Sequence, residues 1–344
     1  MASITIRDVA KKAGVGVGTV SRVLNNNPSV SPETRQKVLE TISELEYQPN
    51  PIARRLSLGK TLTIAVIAPF FTRPAFVQRF RGIESVLAES EYDFVMYNVE
   101  TAARRDFCFR EVPRRDRIDG LLIMSLIPTS NDAQRFQEAN IPTVLLDAAH
   151  PDFNRVIIDD LHGGYLATKH LLDLGHRHIG YISDILAKSP FNYHSIFERH
   201  QGYQNALAEA GIPYRPDYVL QGEVDQNVGR ELTKQLLADN PEITAVFAYS
   251  DTQAIGVMQA AREMNLRVPE DLSVIGYDDI EISEYLHLTT IQQKLMQSGV
   301  QAAKLLLAEI NQPSTHPREI ISPTTLVRRQ TTSLLKTYSL PETN

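Results

Sequence analysis

The chain has 344 residues, 35 Lys and Arg against 41 Asp and Glu for a formal net charge of −6, and 42% hydrophobic residues. That length exceeds one ordinary domain and fits two or three, with enough apolar content for sizeable buried cores. A single cysteine, Cys108, excludes an internal disulfide and a cysteine-based zinc site, and no apolar run approaches the ~18 residues of a membrane span. Cys108 itself reads as a small buried apolar residue. No basic-then-apolar leader opens the chain, so a cytoplasmic location is expected. The charge is unevenly spread. Residues 1–60 hold nine Lys and Arg against five acids, a net of +4, so the rest carries −10. A basic head on an acidic body points to the head as the part that meets a polyanion.

Taken in chain order, the first sixty residues read as three short helices. Ile6, Val9, Ala10 and Ala13 recur at helical spacing, with Thr5 placed to cap them. A second helix covers 17–25. A third starts at Ser31-Pro32 and runs to Glu46, with Val38, Ile42 and Leu45 on one face. Gly14, Gly16 and Gly18 resemble a phosphate loop, but Thr19 stands at the sixth position of that fingerprint and a helix precedes it where a strand is required. Gly14 instead suits the left-handed turn of a helix-turn-helix. In that motif the second helix enters the major groove, showing it Val17, Gly18, Ser21 and Arg22. Arg22 can pair bidentately with guanine, and Thr5, Thr19, Asn25 and Tyr47 can hold phosphates. From the head alone, a three-helix protein-interaction module stays open as the alternative.

Residues 47–61, rich in proline and ending near Gly59, read as a linker that holds one or two marginal helical turns. From Thr63 short apolar runs alternate with amphipathic stretches. The runs fall at 63–68, 93–97, 120–124, 143–147, 178–183, 245–249 and 272–277. The stretches fall at 76–90, 163–174, 195–210, 228–238, 251–263 and 295–310. This alternation predicts parallel sheets with helices on both faces, in two similar lobes, and a ligand cleft beyond the strands' carboxyl ends. The last dozen residues read as a loose tail. His170, His176 and His178 do not make a metal site on this reading: Gly175 ends a helix, and the two turn histidines are expected to be solvated or capping. The pairs Asp159-Asp160 and Asp278-Asp279 are neighbours in sequence, so they cannot flank a glycosidic bond. No cofactor-binding motif is present, and an enzyme is disfavoured.

The segments "TIRDVAKKAGVGVGTVSRVLNN" and "VSPETRQKVLETISELEYQPNPIARRL" resemble the lactose/galactose repressor family of bacterial transcription regulators. The resemblance continues through "IDDLHGGYLATKHLLDLGHRHIGYIS", "VFAYSDTQAIGVMQA" and "RVPEDLSVIGYDD", nearly the whole chain in order. It implies a small all-α helix-turn-helix head over 1–47, a hinge helix over 48–61, and an α/β body of two periplasmic-binding-protein-like lobes with parallel sheets. One lobe takes 62–160 with 292–322 and the other 161–291 with 323–344. It further implies a homodimer on a near-palindromic operator, controlled by a small sugar or sugar phosphate bound between the lobes. Carried over by position, Val17, Gly18 and Arg22 read bases, while Asn50, Ala53 and Leu56 belong to the hinge that enters the minor groove. Phe76, Asp147, Arg199, Ser250 and Asp278 match effector-binding places. Gly16 replaces the family's usual capping serine, Gly18 offers no side chain to a base, and Val224 stands where relatives carry a second stacking aromatic. That last departure favours a sugar over a flat purine. Strand-terminal aspartates also serve as helix caps, and Phe76 also fits a core position.

Overall fold

The computed structural model of the protein describes residues 4–48, 55, 58–185 and 194–335. Asn50, Ala53 and Leu56 lie outside these. The chain forms two compact units, 1–61 and 62–344.

In the first unit, α1 (Ile6–Ala13), α2 (Val17–Leu24) and α3 (Pro32–Glu44) surround a core of Val9, Ala10, Ala13, Val20, Val23 and Val38, against which Val15, Ile42, Leu45 and Tyr47 also pack. α1 ends as its sequence dictates. Gly14 takes φ +67°, and the amides of Gly14 and Val15 bond the carbonyls of Lys11 and Ala10. α3 starts on Ser31, whose hydroxyl accepts from the Thr34 amide, followed by Pro32.

The second unit continues with β1 (Thr63–Pro69), α4 (Pro74–Leu87), β2 (Asp93–Val99), α5 (Ala102–Glu111), β3 (Gly120–Met124), α6 (Ser130–Glu138), β4 (Thr143–Leu146) and β5 (Asn154–Ile158). It goes on through α7 (Asp160–Asp173), β6 (Ile179–Ser183), α8 (His194–Glu209), β7 (Val219–Gln221), α9 (Gln226–Asp239), β8 (Ala245–Ala248), α10 (Asp251–Glu263) and β9 (Ser273–Asp278). The remainder is α11 (Glu281–Tyr285), β10 (Thr289–Gln292), α12 (Leu295–Asn311), β11 (Glu319–Ser322) and β12 (Thr325–Val327).

Two six-stranded sheets result, in the orders β11-β5-β4-β3-β1-β2 and β12-β10-β9-β8-β6-β7. Every pairing is parallel except β10 with β12. Buried runs such as Ile64–Ala68 and Leu121–Met124 are apolar on both faces, as parallel strands under helices require. The chain crosses between sheets after β5, after β10 and after β11, so the second crossing hands the chain from β10 to α12, which packs on α4 and on β3–β5.

Phe94, Val95 and Met96 are exposed on β2, the edge strand of its sheet. One expectation needs correction: His176 is not solvated. It is buried, its Nδ1 meets Thr244 Oγ1 at 2.9 Å and its Nε2 meets the Ser333 carbonyl at 3.0 Å, so it pins the C-terminal stretch to the body. His170, also buried, meets Thr332 at 2.9 Å, and burial depresses its pKa to about 4. Among the described residues no helix is long and apolar enough to cross a membrane, and no cluster of His, Cys, Asp and Glu could hold a metal.

Candidate effector cleft and DNA-binding head

The body's cleft is assembled from the ends of strands. Ser125 follows β3, Asp147 follows β4, Asp184 follows β6, Ser250 lies just beyond β8, Asp278 ends β9 and Gln293 follows β10. Each therefore lies at the carboxyl end of a parallel strand, where side chains can face a ligand. Ser125, Asp147 and Asp278 all have positive φ, at 51°, 56° and 113°. Non-glycine residues held there concentrate where function over-determines the backbone. Helices add Phe76 and Arg79 from α4 and Ser195 and Arg199 from α8. The cleft encloses about 580 Å³ of empty space, its open mouth included.

All five residues assigned from sequence, Phe76, Asp147, Arg199, Ser250 and Asp278, line this one cleft with Val224. Their surroundings differ in part from expectation. Neither aspartate caps a helix; that role falls to Ser250, whose hydroxyl accepts from the Gln253 amide at 3.2 Å. Arg199 is not a free fork. Its Nε donates to Asp160 at 2.8 Å and its Nη1 to the Tyr249 carbonyl at 2.7 Å, with Asp278 3.5 Å away. Its guanidinium also lies over the Tyr277 and Tyr249 rings, at 3.7 and 4.4 Å.

Sequence reasoning missed a second fork. Arg79, 3% exposed, meets Asp147 Oδ2 at 2.5 Å and Ser125 Oγ at 3.3 Å through Nη1, and Gln293 Oε1 at 2.8 Å through Nη2. Ser125 donates to the same Asp147 oxygen at 2.6 Å. Gln293 in turn donates from Nε2 to Asp278 Oδ1. Burial pushes Asp278 up to about 6, against the pull of Arg199 and Arg79. It raises Asp184 as well, with Arg73 opposing. The signal for Arg79 was present: it lies on the inward stripe that Gly82, Ile83 and Leu87 define. A charged residue on such a stripe demands a buried partner.

In the head, Val17, Gly18 and Arg22 are exposed together on α2, with Thr19, Ser21 and Asn25 half-buried beside them. Arg22 makes no ion pair among the described residues. Thr5 donates through both its amide and its hydroxyl to Asp8, at 2.8 and 2.7 Å, closing the first turn of α1 and holding the Asp8 pKa down. Arg35, counted from sequence among the basic charges, is spent locally: it donates to the Val23 and Asn27 carbonyls that end α2.

Residues 5–50 match the bacterial regulatory proteins of the lacI family, and residues 168–332 match the periplasmic binding protein-like domain. The ribose operon repressor of Haemophilus influenzae is 35% identical over 341 residues, covering 96% of this chain and 99% of that protein. The chain belongs to the lacI family. As a member it is a DNA-binding transcriptional regulator. The Lac repressor dimer solved with operator and the anti-inducer ONPF superposes with TM-score 0.83 at 30% identity, over 96% of this chain and all of that one. A lacI-family regulator from Enterococcus faecium solved with ribose gives TM-score 0.71 at 31% identity, over 80% of this chain and all of that one.

Proposed function

We propose that this lacI-family regulator is a repressor that binds a near-palindromic operator as a homodimer in the cytoplasm, under control of a small neutral sugar held in the cleft. Val17, Gly18, Ser21 and Arg22 read the major groove. Thr5, Thr19, Asn25 and Tyr47 contact phosphates, and Asn50, Ala53 and Leu56 serve the hinge. The charge balance of the cleft carries the choice of effector. Arg73, Arg79 and Arg199 stand against Asp147, Asp184 and Asp278, with Asp160 behind Arg199, so no surplus of positive charge awaits a phosphate. Carboxylates backed by buried arginines and flanked by Ser125, Ser195 and Ser250 suit hydroxyl donors, and Phe76 offers an apolar face to a ring. The names of the ribose operon repressor and the ribose-bound regulator support the same class. Arginines, an amide and a serine engage Asp147 and Asp278, which supports a binding role over acid–base catalysis. Effector occupancy changes operator affinity only by its differential affinity for two lobe arrangements.

A thermal-shift comparison of neutral pentoses, hexoses and disaccharides with their phosphates tests this, since a bound ligand stabilises by mass action. A neutral sugar is expected to raise the melting temperature and then to change operator retardation. Arg22→Ala is the control, keeping only weak, salt-sensitive DNA binding. Stabilisation by phosphosugars alone would overturn the choice of effector.

A further inference from the structure

Asp147 and Asp278 end strands of different sheets, yet the protein's own side chains join them. The chain of contacts runs Asp147, Arg79, Gln293, Asp278, Arg199, Asp160. Gln293 is its central rung and is 1% exposed. The amide meets both demands there, since its oxygen accepts from Arg79 while its nitrogen donates to Asp278. Its backbone stands at the crossing from β10 to α12, next to Lys294 at φ 53°. Arg79 is equally fixed. A Cβ on Gly82 would fall 2.0 Å from the Met296 carbonyl oxygen, and one on Gly299 would fall 2.1 Å from that of Arg79, so the backbones of α4 and α12 touch. Arg79 therefore cannot shift unless α12, which Gln293 leads into, shifts with it.

We propose that Arg79 and Gln293 are positioning residues that tie the first lobe's cleft acid to the second's, and so set how far the lobes close on each other. The idea deepens the reading of the cleft as the effector site, because a sugar that engages Asp147 or Asp278 then works through this tie. The buried ion pair at one end makes the tie stiff, and the neutral amide rung is where it yields. Removing Arg79 would leave Asp147 unpaired, so the milder test acts at the rung. Gln293→Leu removes both bonds of the amide. Gln293→Glu keeps an acceptor for Arg79 but sets a carboxylate against Asp278.

The experiment is a distance measurement by electron-spin dipolar spectroscopy on the full-length protein without added sugar. Labels go on Asn131→Cys and Asn227→Cys, exposed positions near the amino ends of α6 and α9 on the cleft side of each sheet. Labelled protein is diluted with excess unlabelled protein, and the buried Cys108 stays unlabelled. The expected result is a longer and broader distance distribution in Gln293→Leu, longer still in Gln293→Glu, with both variants keeping a single cooperative melting transition. Arg79→Met is expected to lengthen it in the same direction. Unchanged distances in both Gln293 variants overturn the tie, whatever the effector proves to be. Failure of every neutral sugar in the thermal screen would sink the effector choice and leave the tie standing.

Discussion

Asp278 shows how burial at the cleft moves the titration of an acid. Its folded pKa lies near 6, above the ordinary 3.8, because burial outweighs the Arg199 and Arg79 charges. Between those values the folded state holds more protons than the unfolded chain. The stability linked to this group is therefore full below pH about 4 and is lost as pH rises through about 6. Asp278→Asn removes that titration. Its stability relative to the parent is expected to improve as pH climbs over this interval and then to level off, read from urea midpoints at a series of pH values. Asp251 is raised to about 8 by burial and by the Asp278 charge, so Asp278→Asn relieves part of that rise and adds to the difference in the same direction. A difference that stays flat or shrinks with rising pH would contradict the assignment. Other single residues were legible without the structure. Cys108 is fully buried as its solitary apolar reading implied, and Gly14 adopts the positive φ that its turn requires.

At the scale of elements, α4 and α12 are joined by glycines at which neither helix tolerates a side chain. Gly82→Ala would drive a methyl group into the Met296 carbonyl, so the helices must part. Overpacking of this kind costs about 1–3 kcal/mol. The expected outcome is a lower urea midpoint with an unchanged slope, and a midpoint equal to the parent's would refute the close approach. The sequence disclosed the long amphipathic helices to within a few residues but not α5 and α6. Both are largely polar, with Cys108 and Phe109 buried on the one and Asp132, Ala133 and Phe136 on the other, which leaves too little apolar periodicity to detect. Their caps were the available signal: Thr101 accepts from the Arg104 amide, and Thr129 pairs reciprocally with Asp132. The short strands β7, β11 and β12 escaped for the same reason: three or four half-exposed residues carry no pattern.

For the whole molecule, apolar surface left open on the body points to a homodimer. Phe94, Val95 and Met96 are exposed on the edge strand β2, and Val77, Ile282 and Tyr285 line a second apolar groove between α4 and α11. Edge strands of this composition normally need cover, and a second copy supplies it symmetrically. Tyr285, 74% exposed, is the outermost of these side chains. Tyr285→Asp is expected to shift the protein from dimer to monomer in sedimentation velocity, and operator affinity should fall with it. A parent that sediments as a monomer at every concentration would contradict the dimer.

Much of this is written in local patterning. Helical spacing, a glycine turn and a proline-started helix pointed to the three-helix head, and alternating apolar runs pointed to parallel α/β sheets, because each element's period is written within a few residues. The sites Asp147, Arg199 and Asp278 were reached through family motifs, and the structure gathers them in one cleft. What only the tertiary structure decided is who faces whom. Arg79 and Gln293 are 214 positions apart, and nothing local foretells that one amide would stand between an arginine of α4 and an aspartate of β9. The same holds for Arg199, whose donors are claimed by Asp160 and the Tyr249 carbonyl. Hydrophobic periodicity says which face of an element turns inward. The partners a buried charge finds there depend on chain crossings, which bring distant side chains within hydrogen-bond reach.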